Sequence, residues 1–299
     1  MTMTVCSKEA LLARLAKVDQ MPSIPVVVAP LLRYLEQPLD QLDVNKVVDL
    51  LSQDKSLTAQ CLHMANSPLW GHWQKVDSLR NAVVALGFQR LREIVISCSI
   101  LKLVPGKAQI DPIVFWEHSL GCALVCRQFA RRVNFASPEK AYLGGLLHDL
   151  GIIVNLWLLP REFATVLDMA QRQRIPLHEA ELDVLGLTHC ESGQLLARRW
   201  ALTDDIIDVV GYHHHPEEAP NHRALVALVG LSDLLCRMGG IGHGFPEMRQ
   251  VNFLEEPGFA LLRSECPASS DLDWARFTFE LEGYLDEVRC LVRQLYRPA

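Results

Sequence analysis

The chain has 299 residues, 49% of them hydrophobic and 21% charged, with a formal net charge of -6. That is enough for a large core, in one large or two moderate domains, and it excludes a disordered chain. The negative balance gives no general pull toward nucleic acid or an anionic membrane, so neither is expected as a partner.

No window of about 18 residues is free of charge or strong polarity. The stretch from Leu143 to Pro160 comes nearest, and it contains His148, Asp149 and Asn155. The N-terminus lacks the basic start and apolar run of a signal peptide, so a cytoplasmic protein is expected. The nine cysteines form no close CxxC pair and several lie in apolar helical sequence. They read as reduced, buried thiols. Cys122 and Cys126 share a helix face but lack partners at zinc-ligand spacing.

Nearly every segment carries helical periodicity and no alternating strand pattern persists, so the expected fold is all-α. A short amphipathic helix covers residues 8 to 18. Met21-Pro22-Ser23-Ile24-Pro25 turns into a helix reaching about Glu36, which Pro38 stops. Asp43 is placed to cap a helix to about Leu51. A helix starting near Ser56 puts Leu57, Cys61, Met64 and Ala65 on one face and ends in the breakers of Asn66 to Gly71. Ser78 caps a helix that Gly87 breaks. Leu91 to Val104 is apolar and closes at Pro105-Gly106, a natural boundary.

The second half opens at Asp111-Pro112 with a long helix to about Asn134. Ser137-Pro138-Glu139 starts the helix leading into His148-Asp149. Gly151 is placed to end that helix in the left-handed conformation, leaving the pair in its last turn. Helices then follow from Pro160 to about Arg172 and from Pro176 to about Leu185. Thr188 with Glu191 reads as a capping box opening a helix to Trp200. Further helices run from Thr203 to His213 and, after a polar loop at Pro216 to Asn221, to about Cys236. Residues 239 to 270 are rich in Gly and Pro. Asp271 to about Leu295 is an amphipathic helix. The expected segments are 1–106, a helical lobe; 107–238, a helical bundle; and 239–299, an extension.

A carboxylate in apolar sequence is costly unless it is paired or coordinates a cation. Asp149 stands in such sequence beside His148, and His118, His189, His213, His214 and Asp233 each fall on a separate helix or helix end. A bundle can aim such side chains at one interior point. Imidazole with carboxylate suits divalent iron, manganese, zinc or nickel. Singly, each of these histidines is better read as a surface or hydrogen-bonded core residue than as a ligand, and His63, His72, His178, His222 and His243 are left in that class. The run His213-His214-His215 before Pro216 also suits a helix C-terminus by its charge.

The ordered pattern His118, His148-Asp149, His189, His213-His214, Asp233 resembles the HD superfamily of metal-dependent phosphohydrolases. The whole chain resembles more closely the HDOD family, bacterial signal-output domains related to that superfamily. The N-terminal half carries Pro22-Ser23-Ile24-Pro25, Asp54-Lys55-Ser56-Leu57-Thr58, Ala65-Asn66-Ser67 and Ala85-Leu86-Gly87. The C-terminal half carries Trp116-Glu117-His118-Ser119, Gly145 to Gly151, His189 with Gly193, Trp200, and His213-His214 before Pro216. The likeness covers roughly residues 15 to 237. It implies a two-lobed all-α fold, with an N-terminal helical lobe packed on an HD-like bundle, and a role in signalling. It also implies that His118, His148, Asp149, His189, His213, His214 and Asp233 hold divalent metal, with Asp149 bridging two ions.

Two departures bear on catalysis. The related HD-GYP phosphodiesterases, which cleave cyclic di-GMP, have a lysine soon after the His-Asp pair, where this chain has Ile152. Their Gly-Tyr-Pro motif is replaced by His213 to Pro220. Two functions therefore stay open: a regulatory protein whose partners are signalling proteins, and a phosphohydrolase acting on a nucleotide or other phosphate ester with Asp149 as its catalytic residue. Binding a phosphate-bearing small molecule without cleaving it is a third. An open metal pocket would favour hydrolysis and a closed site the regulatory reading. Trp274, Phe277, Phe279, Leu281, Leu285, Val288 and Val292 of the last helix read as core rather than as partner surface.

Overall fold

The computed structural model describes residues 8–17, 34, 37–70, 75–100, 103–105, 109–248 and 251–296. The Pro22–Pro25 motif, the helix expected to reach Glu36, His72, Trp73 and Gly106 lie outside the described residues. The protein is all-α, with no strand among the described residues. Its contacts divide it into two units, one formed by Met1–Met21 with Val104–Glu282, the other by Pro22–Leu103 with Gly283–Ala299.

In the second unit lie α2 (Val44–Ser52), α3 (Lys55–Ala65) and α4 (Leu79–Ile100). Asp43 and Asp54 cap the first two, each accepting a backbone N–H of its own first turn, Asn45 at 2.8 Å and Leu57 at 2.9 Å; a carboxylate here satisfies an orphan donor and the helix dipole together. Leu57, Cys61, Met64 and Ala65 are all buried. Beyond α3, the Asn66 side chain holds both backbone groups of Val76, at 2.7 and 2.8 Å. Gly87 breaks α4 at φ 78°, which only glycine adopts at little cost.

The first unit holds α1 (Lys8–Leu15) and a bundle around α5 (Pro112–Arg132). Around and beyond α5 run α6 (Pro138–Leu147), α7 (Leu150–Leu158), α8 (Pro160–Gln173) and α9 (Leu177–Leu185). They are followed by α10 (His189–Arg199), α11 (Asp204–Tyr212), α12 (Arg223–Met238) and α13 (Pro257–Glu265). The central helix α5 packs on α6 and α12, while α7 packs on α10. The span Pro138–Leu158 is long and apolar enough to cross a bilayer by composition, yet it is mostly buried and bends at His148-Asp149. Among the described residues eight cysteines are free, and all but Cys290 are buried.

The last helix, α14 (Trp274–Tyr296), begins in the first unit and ends in the second. Phe277, Leu281, Leu285, Val288 and Val292 are buried while Phe279 is 76% exposed. Trp274 packs edge-on against Phe129 at 5.5 Å between ring centroids. This apolar face is core, but Phe279, two residues from buried Phe277 and so on the opposite side of the helix, is not, which corrects its reading as a core residue.

A second expectation is also corrected. Gly151 does not terminate a helix. It lies inside α7, and a Cβ at this position would fall 1.7 Å from the backbone oxygen of His189. The missing side chain lets α10 approach α7. The chain bends instead at Asp149, whose φ and ψ of -92° and 19° separate α6 from α7.

Candidate metal centre

Five helices or helix junctions of the bundle each deliver one or two polar side chains to a single buried point. His118 comes from the middle of α5, His148 and Asp149 from the bend between α6 and α7, and His189 from the first turn of α10. His213 and His214 follow α11, and Asp233 lies on α12. Local sequence fixes these positions. The Thr188 N–H donates to Glu191 Oε2 at 2.8 Å, closing the capping box that starts α10 at His189. Gly230 gives the His213 backbone room against α12, since a Cβ there would fall 2.2 Å from the His213 oxygen.

All seven side chains proposed from sequence converge. His118, His148, Asp149, His189, His213 and Asp233 are no more than 2% exposed, and His214 is half-buried. Asp149 lies at the centre with its two oxygens turned to different groups. Its Oδ2 is 3.2 Å from His118 Nε2 and 3.3 Å from His148 Nε2. Its Oδ1 is 3.3 Å from His189 Nε2 and 3.7 Å from His213 Nε2. Asp233 Oδ1 completes the first group, 3.3 Å from His118 Nε2 and 3.9 Å from His148 Nε2. His214 Nε2 completes the second, 3.2 Å from His189 Nε2.

The outer ring nitrogens decide the chemistry. The Nδ1–H groups of His118, His148 and His213 donate to the backbone oxygens of Ile241, Gly145 and Val209 at 2.9, 2.8 and 3.1 Å. His189 Nδ1–H donates to Glu181 Oε2 at 2.7 Å. With Nδ1 committed outward, each neutral ring presents its Nε2 lone pair inward, which is how proteins orient histidine toward a metal. Donor atoms sharing one ion through bonds of about 2.0–2.2 Å stand about 3–3.5 Å apart. Most of the separations above fall in that range, so the residues fit divalent metal.

In the protein alone, protons balance the two carboxylates. Burial opposes charge on His118, but its hydrogen bonds to Asp149 and Asp233 hold it well above the usual imidazole range. Burial likewise opposes charge on His189, and Glu181 overrides it. Burial pushes Asp149 up, but the neighbouring imidazoles, His148 foremost, hold it well below the usual carboxylate range. For Asp233 the burial effect is overcome first by Arg237, whose Nε lies 3.0 Å from Oδ1. Burial and the adjoining rings keep His213 and His214 neutral. A divalent cation can take over the balancing role of the protons.

Three contributors were not anticipated. Glu181, buried on α9, also accepts the His189 N–H at 2.7 Å and the Asn155 side-chain N–H at 3.0 Å. It falls on the apolar stripe Leu177, Ala180, Leu185, so an acid at a core position was a readable signal. His178 and His243, read from sequence as surface or core residues outside the constellation, both join it. His178 stacks on His214 with centroids 4.0 Å apart, and burial, with His189 nearby, pushes it down to about 3. His243 Nε2 lies 3.0 Å from Asp149 Oδ2. His222 stands at the N-cap position of α12 and pairs with Asp208 at 2.8 Å, while His63 is exposed. Cys122 Sγ lies 3.7 Å from His118 Nε2, but burial and the adjacent Cys236 hold its thiol well above the ordinary range.

Access is narrow. A cleft of about 50 Å³ reaches His213 and His214 beside Pro216, Gly230 and Arg237. An open cleft of about 660 Å³ lies over the 239–248 segment and is lined by Glu117, Arg237 and Phe245 but by none of the seven converging residues.

The HDOD domain family matches residues 21–216 of this chain. An HDOD domain protein of unknown function from Geobacter sulfurreducens is 32% identical, with a TM-score of 0.83 over 97% of this chain and 99% of that one. A candidate phosphohydrolase from Shewanella amazonensis SB2B is 25% identical, with a TM-score of 0.73 over 95% of this chain and 98% of that one. An uncharacterized protein of Treponema pallidum (strain Nichols) is 24% identical over 223 residues, 74% of this chain. The chain spans 43% of the length of that curated relative. The chain belongs to the HDOD family.

Proposed function

We propose that this chain is a cytoplasmic HDOD signalling protein that holds divalent metal in a closed centre and acts by binding a signalling partner. His118, His148, Asp149 and Asp233 would hold one ion, and Asp149, His189, His213 and His214 a second. The observation that carries the reading is closure. The cleft at the donors has the volume of one or two waters, whereas a small-molecule site needs about 300–1,000 Å³. The arginine nearest the donors is also committed, since Arg237 serves both Asp233 and Glu247. Among the described residues lining the cleft, a phosphate ester would therefore meet no uncommitted cationic side chain to stabilise developing charge beside the metal. Bound metal would supply local positive charge and rigidity, tying five helices or helix ends together around Asp149.

A metal-dependent phosphohydrolase is the second reading. It is favoured by Asp149, which presents one oxygen to each donor group, as a carboxylate shared by two ions does. The similarity to the Shewanella candidate phosphohydrolase agrees with it.

Elemental mass spectrometry on protein purified without a histidine tag or chelator, followed by assay of the loaded protein on a panel of phosphate esters and cyclic dinucleotides, separates the two. One or two iron, manganese, zinc or nickel ions per chain with no turnover supports the regulatory reading. Turnover that disappears in Asp149→Ala supports the hydrolase. Absence of metal after anaerobic loading with each ion overturns both.

A further inference from the structure

Residues 239–248 leave α12 beyond the stretch matched by the family and return across the donor cluster. The segment turns on Gly240 and Gly244, at φ 75° and 94°. It is pinned at three points. The Ile241 oxygen accepts from His118 at 2.9 Å, Glu247 pairs with Arg237 at 2.5 Å, and the Met248 N–H donates to the Arg174 oxygen at 2.7 Å. Between these points His243 is driven inward. Its side chain is 5% exposed, its ring centroid is 4.7 Å from that of His118, and its Nε2 is 3.0 Å from Asp149 Oδ2.

That distance matches the spacing among the first group of donors. The nitrogens of His118 and His243 and the Asp149 oxygen lie close enough together to share one ion. His243 differs from its neighbours in one respect: its Nδ1 is buried with no hydrogen-bond partner. A ring placed only to donate to Asp149 would leave that nitrogen desolvated in exchange for one hydrogen bond. Nδ1 stays unpaired in either role, so the donor spacing around Asp149 Oδ2 carries the assignment.

We infer that His243 Nε2 is a further ligand to the ion held by His118, His148, Asp149 and Asp233, delivered by the 239–248 segment so that it closes the position an external anion would occupy. This rests on the metal reading above. It makes the segment a built-in seal and accounts for the closure of a site whose donors otherwise match an HD-type centre.

Cobalt(II) loading of the full chain tests it, with the visible ligand-field spectrum as readout and inorganic phosphate as probe. In the wild type, added phosphate leaves the spectrum unchanged. His243→Ala retains cobalt, its spectrum differs from wild type, and phosphate shifts it further. His243→Gln can still donate a hydrogen bond to Asp149, and is expected to behave as His243→Ala does. Should glutamine restore the wild-type spectrum and its indifference to phosphate, His243 only hydrogen-bonds Asp149 and the inference falls. It falls equally if all three spectra coincide, or if phosphate shifts the wild type. If the wild type takes up no cobalt, iron, manganese, zinc or nickel, the metal reading has failed first and this inference with it.

Discussion

His189 and His213 face each other Nε2 to Nε2 at 3.3 Å, while their Nδ1–H groups are tied outward to Glu181 and to the Val209 carbonyl. Two lone pairs at that distance repel unless a cation lies against both or a proton is shared. The same outward commitment recurs at His118 and His148. The cluster is therefore organised to receive positive charge, and removal of that charge has measurable consequences.

Asp149→Ala removes the carboxylate shared by the two donor groups. The variant is expected to stay helical by circular dichroism and to lose all bound metal. Elemental analysis of the folded variant checks this, and wild-type stoichiometry would remove the basis of the assignment.

Glu181→Gln keeps the size of the side chain but not the charge that orients His189. Replacing such an outer partner of a ligating histidine typically weakens metal binding about 10–100-fold. The loss should fall on one ion equivalent, the one served by His189, His213 and His214. Competition titration with a chromophoric chelator resolves the two equivalents, and equal weakening of both would contradict the assignment.

Metal removal should lower stability by mass action. Free metal at about 100 times its dissociation constant adds about 2.7 kcal/mol to the folded state. Chelator-treated protein should therefore melt at a lower temperature than the loaded protein, with the difference growing with free metal concentration. A melting temperature indifferent to metal would show that the ions bind elsewhere or not at all.

Gly151→Ala places a methyl group 1.7 Å from the His189 oxygen, so α7 and α10 must separate. Overpacking of this kind costs about 1–3 kcal/mol, and a clash with backbone belongs at the upper end. Urea unfolding measures the loss. Metal affinity should fall as well, because the displaced backbone carries a donor.

The ion pair of exposed Lys140 with buried Asp205 predicts a separate pH effect. Burial pushes the Asp205 carboxyl up, but hydrogen bonds from Lys140, at 2.6 Å, and from Thr203 hold it below the usual carboxylate range. A lowered folded value means that the contribution is fully present above the unfolded value of about 3.9 and is lost as pH falls through the folded value. The stability advantage of wild type over Asp205→Asn should be constant from neutral pH to about pH 5 and shrink below about pH 4. Added salt should reduce it, since Lys140 is 59% exposed. An advantage that persisted at the lowest pH would mean the pair is not its source.

Much of the local structure was legible in sequence. Asp43 caps its helix, Gly87 breaks α4, and Thr188 with Glu191 starts α10 at His189, because caps and breaks depend on residues within a few positions. The seven side chains that converge were named from sequence too, through the resemblance of their order to the HD superfamily. What sequence left undetermined was everything set by approach in space. Gly151 reads along the chain as a helix stop, and only the packing of α10 against α7 shows that its missing side chain makes room for the His189 backbone. Glu181 reads as one acid among several on α9 until its helix turns it under His189. His243 stands in a glycine-rich stretch with no periodicity to place it, and it reaches Asp149 because the 239–248 segment folds back on its anchors. Sequence by itself determined which side chains were offered, since helix starts, stops and faces are local. Tertiary structure alone decided which of them meet and how closed their meeting point is, because both depend on how near two helix backbones can come.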